Sequence, residues 1–162
     1  MARHKIQQPK DFKLKAGTHG QIGIKVKYKR KYAEDWNARL DLMQKACDNA
    51  CIKYMTPYVP MQSGVLEKSA ILNTVIGSGK VVYATPYARY LYYGEVYAPS
   101  YPITQNGVLV GFFSPPHKYP TGMPLQYDKT FHPLAGARWF DRMKADHFKD
   151  ILQEVKQAGG IK

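Results

Sequence analysis

Acidic residues are scarce in this chain: 12 Asp and Glu stand against 24 Lys and Arg, a formal net charge of +12. No pair of carboxylates is marked out for general acid–base work. Cysteine is scarcer still, with only Cys47 and Cys51. They lie four apart in a segment with helical patterning, where a disulfide has poor geometry and no second pair completes a zinc site. They read as small buried groups on one helix face of a protein from a reducing compartment. The five histidines, at 4, 19, 117, 132 and 147, show no metal-ligand spacing. His147 falls on an apolar stripe and reads as a satisfied core or interface histidine. No apolar run approaches the roughly 18–20 residues of a membrane span. The basic start lacks the apolar stretch of a secretory leader. Gly77-Ser78-Gly79-Lys80 fails as a phosphate loop, because Thr74 stands where a glycine is needed and Val81 where Ser or Thr is needed. No serine stands in a nucleophile elbow. The chain therefore reads as a non-enzyme, with no cofactor, no metal and no membrane partner expected.

What is present is charge in one place. Residues 1–31 hold ten basic groups and one acid, Asp11, a net +9. The other 131 residues carry 14 basic and 11 acidic groups, a net +3. Such a basic end meets nucleic acid or an acidic protein surface, or serves only as a solvated tail. Residues 1–20 show no hydrophobic period and read as an extended basic arm. Residues 21–162 then read as one α+β domain, since 162 residues suit about one core.

Gln21 to Tyr28 alternates strictly and predicts a half-buried strand. From Tyr32 to Met55, the residues Trp36, Leu40, Met43, Cys47, Cys51 and Tyr54 step by three and four, one helical stripe. Glu34 and Asp35 suit the first turn, and Thr56-Pro57 suits a stop. Ala70–Ile76 and Lys80–Ala84, split by Gly77-Ser78-Gly79, predict a hairpin. Thr85-Pro86 predicts the cap and first residue of a short helix that Gly94 ends. Gly64 belongs to a turn after Pro60. Residues 95–131 form a long proline-rich insertion with one apolar run, Val108 to Phe113. Long irregular excursions of this kind are usually functional or ordered by a partner. A last helical period runs from Gly136 to Ala158.

Tyr83, Tyr87, Tyr90, Tyr92, Tyr93, Tyr97 and Tyr101 fall within 19 residues. Tyrosine combines an apolar body with a wet tip and is enriched at interfaces. Residues 58–94 are specified in backbone shape yet contain no His, no Cys and one carboxylate, Glu67. That combination suits a part that fits against other parts. The candidate partner contacts are Arg3, Lys5, Lys10, Lys13 and Lys15 on the arm, with Tyr92, Tyr93, Tyr97 and Tyr101. Gly64 and Gly94 are the structural turns.

Pro57-Tyr58-Val59-Pro60-Met61, Ser63-Gly64-Val65-Leu66 and Ser69 resemble the opening block of the minor capsid proteins of tailed phages of Gram-positive bacteria. Thr85-Pro86-Tyr87-Ala88-Arg89 and Tyr92-Tyr93-Gly94 resemble its middle block. Pro133, Gly136, Arg138-Trp139, Met143-Lys144-Ala145 and His147 resemble its C-terminal block. The likeness covers about residues 32–158, and the wider group is similar to head–tail joining and tail-completion proteins. It implies a small antiparallel sheet packed against one long helix of the N-terminal half and a C-terminal helix. It implies a non-enzymatic virion protein, assembled in the host cytoplasm and placed at the head–tail interface. The implied form is a homo-oligomeric ring, a hexamer or dodecamer, between portal or connector proteins and the tail tube or tail terminator. The arm and the excursion would reach vertically into neighbouring rings, with packaged DNA a further contact for the arm. The excursion is longer than the family's usual link, and the basic arm has no matching block. The rival reading is a small basic nucleic-acid-binding module that uses the arm with tyrosine stacking. A toxin-like ribonuclease would need an acid–base set that is not visible.

Overall fold

The computed structural model describes residues 5–16, 22–98, 100–113 and 117–161. The elements are β1 (Phe12–Ala16), β2 (Ile22–Val26), α1 (Tyr32–Met55), a 3-10 turn (Thr56–Tyr58), α2 (Val65–Asn73), α3 (Ala88–Tyr93), β3 (Glu95–Ala98), β4 (Tyr101–Gln105), β5 (Val108–Phe113), β6 (Tyr119–Pro124) and α4 (Trp139–Ala158). The architecture is α+β, with two long helices and three two-stranded antiparallel ladders, β1–β2, β3–β6 and β4–β5.

Helices α1 and α4 pack antiparallel, because contacts climb one helix while they descend the other. Tyr58 Oη donates to Asp146 Oδ2 at 2.6 Å, and Tyr54 Oη and Lys53 Nζ both donate to Glu154 Oε1 at 2.8 Å. Further along, Gly159 sits so close to Met43 that a Cβ there would meet the sulfur at 2.6 Å. The core lies where this pair meets the segment after α1. Met55, Tyr58, Val59, Leu66, Ala88, Trp139 and Met143 are buried together. The sequence stripe of α1 is rotated from this centre. Trp36, Met43, Cys47, Cys51 and Tyr54 are only half-buried, whereas Ala50 and Met55 are buried. Both cysteines are free thiols.

Three local expectations are corrected. No hairpin forms over Ala70–Ala84, because Ala70–Asn73 belongs to α2 and Lys80–Ala84 forms no strand. The Gly77–Gly79 turn is held from afar instead. Asp48, 3% exposed, accepts from Gly77 N at 2.7 Å, Gly79 N at 3.1 Å and Gln44 Nε2 at 2.8 Å. Thr85 does not cap α3. That helix starts at Ala88, and the buried Thr85 Oγ1 has no hydrogen-bond partner among the described residues. Nor is the region before residue 20 uniformly without regular structure, since Phe12–Ala16 pairs with Ile22–Val26. Residues 6–8 are laced to α1. Ile6 exchanges two hydrogen bonds with Asn37, and Gln8 Oε1 accepts from Ala33 N at 3.1 Å. Gln8 thereby satisfies one of the amides that the start of a helix leaves unpaired.

Candidate assembly interface

The β1–β2 ladder sorts its side chains by the period of two. Phe12 faces Val26 and Leu14 faces Ile24, so these share one side, while Lys13 faces Lys25 on the other. Phe12, Leu14 and Ile24 are 43%, 55% and 55% exposed, so the apolar side is largely open among the described residues. Directly opposed like charges destabilise a strand pair, and an isolated two-stranded hairpin is marginal in water. Both features favour a partner that covers the apolar side or neutralises the lysines. Lys5, Lys10 and Lys13 are exposed. Lys15 lies in β1, but its side chain, like all of Arg3, falls outside the described residues.

The excursion is organised as two successive ladders. β3 pairs with β6 from Glu95↔Pro124 to Ala98↔Tyr119, and β4 pairs with β5 from Tyr101↔Phe113 to Gln105↔Val108. Asn106 and Gly107 turn at the tip, both at positive φ, as a tight hairpin turn requires. The base is bound into the body. Gly94, at φ +74°, ends α3, and its carbonyl accepts from Leu125 N at 2.8 Å. Tyr127 Oη donates to Leu91 O at 2.6 Å. A Cβ on Gly94 would lie 2.7 Å from Ala137 Cβ and 2.9 Å from Tyr127 Oη, so glycine is needed for space as well as for φ. Gly64 shares φ +74° at the start of α2, but its added Cβ would meet nothing closer than 3.6 Å.

The four tyrosines singled out from sequence divide. Tyr92 packs edge-on to Trp139 at 4.8 Å and donates to Asp141 Oδ2 at 3.2 Å. Tyr97 packs against Tyr90 at 4.7 Å near the base of the excursion. Tyr93 is 53% exposed beneath the Arg138 guanidinium, and Tyr101 is 55% exposed on β4. Arg138 adopts a left-handed conformation, φ 48°, which costs a non-glycine residue about 1–2 kcal/mol. Its N–H donates to Tyr92 O at 2.8 Å and so fastens the start of α4 to α3. Between α1, α3 and α4 lies a groove of about 630 Å³, with Val81, Tyr83, Tyr92, Tyr93, Trp139 and Phe140 among its lining residues.

Two features lie outside the contacts expected from sequence. The tip residues Val108, Leu109, Val110, Phe112 and Phe113 are all more than half exposed. Their signal was the apolar run inside a proline-rich loop. The other is the Asp48 clamp, which brings together residues 29 and 31 positions apart and has no local signature. The Cys51 thiol is poorly suited to nucleophilic work: burial, with neighbouring Cys47, pushes it up to about 11. His147 Nδ1 lies 3.0 Å from Asp150 Oδ2, and its ring stacks on Tyr54 at 4.7 Å, so it is a satisfied interhelical group. Among the described residues no three His, Cys, Asp or Glu cluster as a metal site, and no helix is long and apolar enough to cross a membrane. The clustered tyrosines from residue 83 to 101 are not on the lysine-bearing hairpin; the ring pair beside it is Tyr28 and Tyr32, edge-on at 5.6 Å.

Apolar faces left open on two hairpins suit a part of a larger assembly, and the comparison with known proteins agrees. No curated protein and no solved structure matches the chain. Residues 22–159, by contrast, match the minor capsid protein family. That match runs from β2 through the end of α4, so the chain belongs to the phage minor capsid proteins and is a structural component of the virion.

Proposed function

We propose that this minor capsid protein is a ring subunit of the phage neck, joining the head, at its portal or connector, to the tail, and that it has no enzymatic role. One observation carries the reading. The chain exposes 12507 Å² of surface, whereas a self-sufficient monomer of 18.5 kDa exposes roughly 8,200 Å² by the usual scaling. An excess of about 4,000 Å² corresponds to several standard-sized contacts at roughly 800 Å² per partner. Subunits of a ring need contacts with both lateral neighbours and with the layers above and below. The α1–α4 body supplies the rigid part, and the basic β1–β2 hairpin reaches toward an adjoining layer or the DNA that passes through it.

The test is genetic and visual. Phage carrying a stop codon in this gene should yield DNA-filled heads and finished tails that stay unjoined, and the purified protein should restore joining in the lysate. Normal joined particles without the protein would refute the reading.

A further inference from the structure

The excursion also suggests how copies hold each other. We propose that the β4–β5 tip docks in the α1–α3–α4 groove of a second copy of this chain, so that subunits join head to tail through unlike surfaces. This rests on the proposed multi-copy assembly but not on its position in the neck.

Residues 101–113 contain no charged side chain in a protein that is 22% charged. Every residue of β4 is exposed, as are all but Gly111 of β5. The tip therefore does not lie in its own groove. Among the described residues the ladder has two strands, and no third strand pairs with either edge. Open apolar edges of this kind aggregate unless an assigned partner covers them. Tyr101, Ile103, Val108, Leu109, Val110, Phe112 and Phe113 are 47–65% exposed and together present on the order of 700 Å². These side chains divide between the two faces of the ladder, since Tyr101 opposes Phe113 and Pro102 opposes Phe112, so only a partner that takes the tip from both sides covers an area close to one side of a standard interface.

The groove has matching chemistry. Tyr83 and Tyr92 pack edge-on to Trp139, at 5.4 and 4.8 Å, while Tyr93 and Phe140 remain 53% and 41% exposed. Its carboxylate, Asp48, is already engaged by two amides and Gln44. The groove's other charged side chain, Arg89, is exposed, so the apolar wall has no free buried charge to orient a polar small ligand and suits a few apolar side chains of the tip. Charge is no obstacle to a second copy brought in by its tip: residues 1–31 hold +9 of the +12, the rest of the chain is nearly neutral, and the tip itself carries no charge. Because tip and groove are different surfaces of one molecule, the contact is heterologous, the kind that closes into rings when the rotation permits.

The test replaces Phe112, an exposed residue, with the photo-cross-linker p-benzoylphenylalanine in the full-length chain. Differently tagged copies are mixed across a concentration series and irradiated, and virions that carry the same replacement are irradiated in parallel. The expected adducts join position 112 of one copy to residues 79–93 or 139–143 of another. Phe140→Asp, at a partly exposed position, should reduce that yield at least about tenfold, while far-UV circular dichroism stays unchanged. Adducts confined to tip–tip contacts, to the same copy or to another face would overturn the proposal. So would the absence of inter-copy adducts both in solution and in virions. Inter-copy adducts in virions whose necks lack the protein would refute the neck assignment and leave the docking intact.

Discussion

Gly64 and Gly94 share a backbone angle, φ +74°, and differ in what surrounds them. Replacing each with alanine separates the cost of the angle from the cost of space. In Gly64→Ala the new Cβ meets Met61 Cε at 3.6 Å, an ordinary contact. Its loss is the left-handed penalty of about 1–2 kcal/mol, partly offset by roughly 0.4–1 kcal/mol from a stiffer unfolded chain. In Gly94→Ala the Cβ would overlap Ala137 Cβ at 2.7 Å and Tyr127 Oη at 2.9 Å. Overpacking adds about 1–3 kcal/mol to the same angular cost. Tyr127 also yields badly, because its hydroxyl is bonded to Leu91 O. At roughly 2–4 °C per kcal/mol for a chain of this size, Gly64→Ala should lower Tm by no more than about 6 °C and Gly94→Ala by about 2–12 °C beyond that. Differential scanning calorimetry reads both. Equal shifts would refute the argument that the excursion's base is wedged against the α4 approach.

Asp48→Ala should cost about 1–3 kcal/mol, because it strands the buried amide of Gly77 and unties that of the exposed Gly79, and hydrogen exchange at both should rise sharply. Unchanged protection there would contradict the clamp. The Lys53 hydrogen bond, with that of Tyr54, holds Glu154 below the usual carboxylate range. A lowered folded pKa gives stability above the unfolded value that is lost as pH falls through the folded one. Glu154→Gln should therefore flatten the acid limb of urea midpoint against pH and leave its shape near neutrality unchanged. Cys51, pushed up to about 11, should react with thiol reagents at neutral pH far more slowly than an exposed cysteine; rapid modification of Cys51 would contradict this.

The parts legible from sequence were those set by local chemistry. Helix α1 runs over the expected residues because a strand alternation stops at Tyr28, two acids suit the first turn and Thr56-Pro57 suits the last. Gly94 ends its helix at positive φ, as a glycine after a tyrosine-rich turn should. What failed depended on distance. Ala70–Ile76 has β-branched residues enough for a strand, yet Gly64 starts a helix before it, and Asp48 takes the amides that a hairpin turn would have aligned. Phe12-Lys13-Leu14-Lys15 alternates as plainly as β2, but five residues are too few to stand out beside an irregular lysine-rich start. The contact tyrosines were chosen by density alone. Density does not distinguish Tyr92, which packs on Trp139, from Tyr101, which faces solvent. The apolar run at Val108–Phe113 was visible, but its exposure is a property of the pairing that holds it away from the core.

The central claim is that many copies form a ring in the neck. A localised cryo-electron microscopy reconstruction of the virion neck tests it most directly. The account predicts a closed ring of α1–α4 bodies between portal and tail, with each β4–β5 tip reaching the next subunit. A neck without this protein, or with a single unsymmetrical copy, would contradict it.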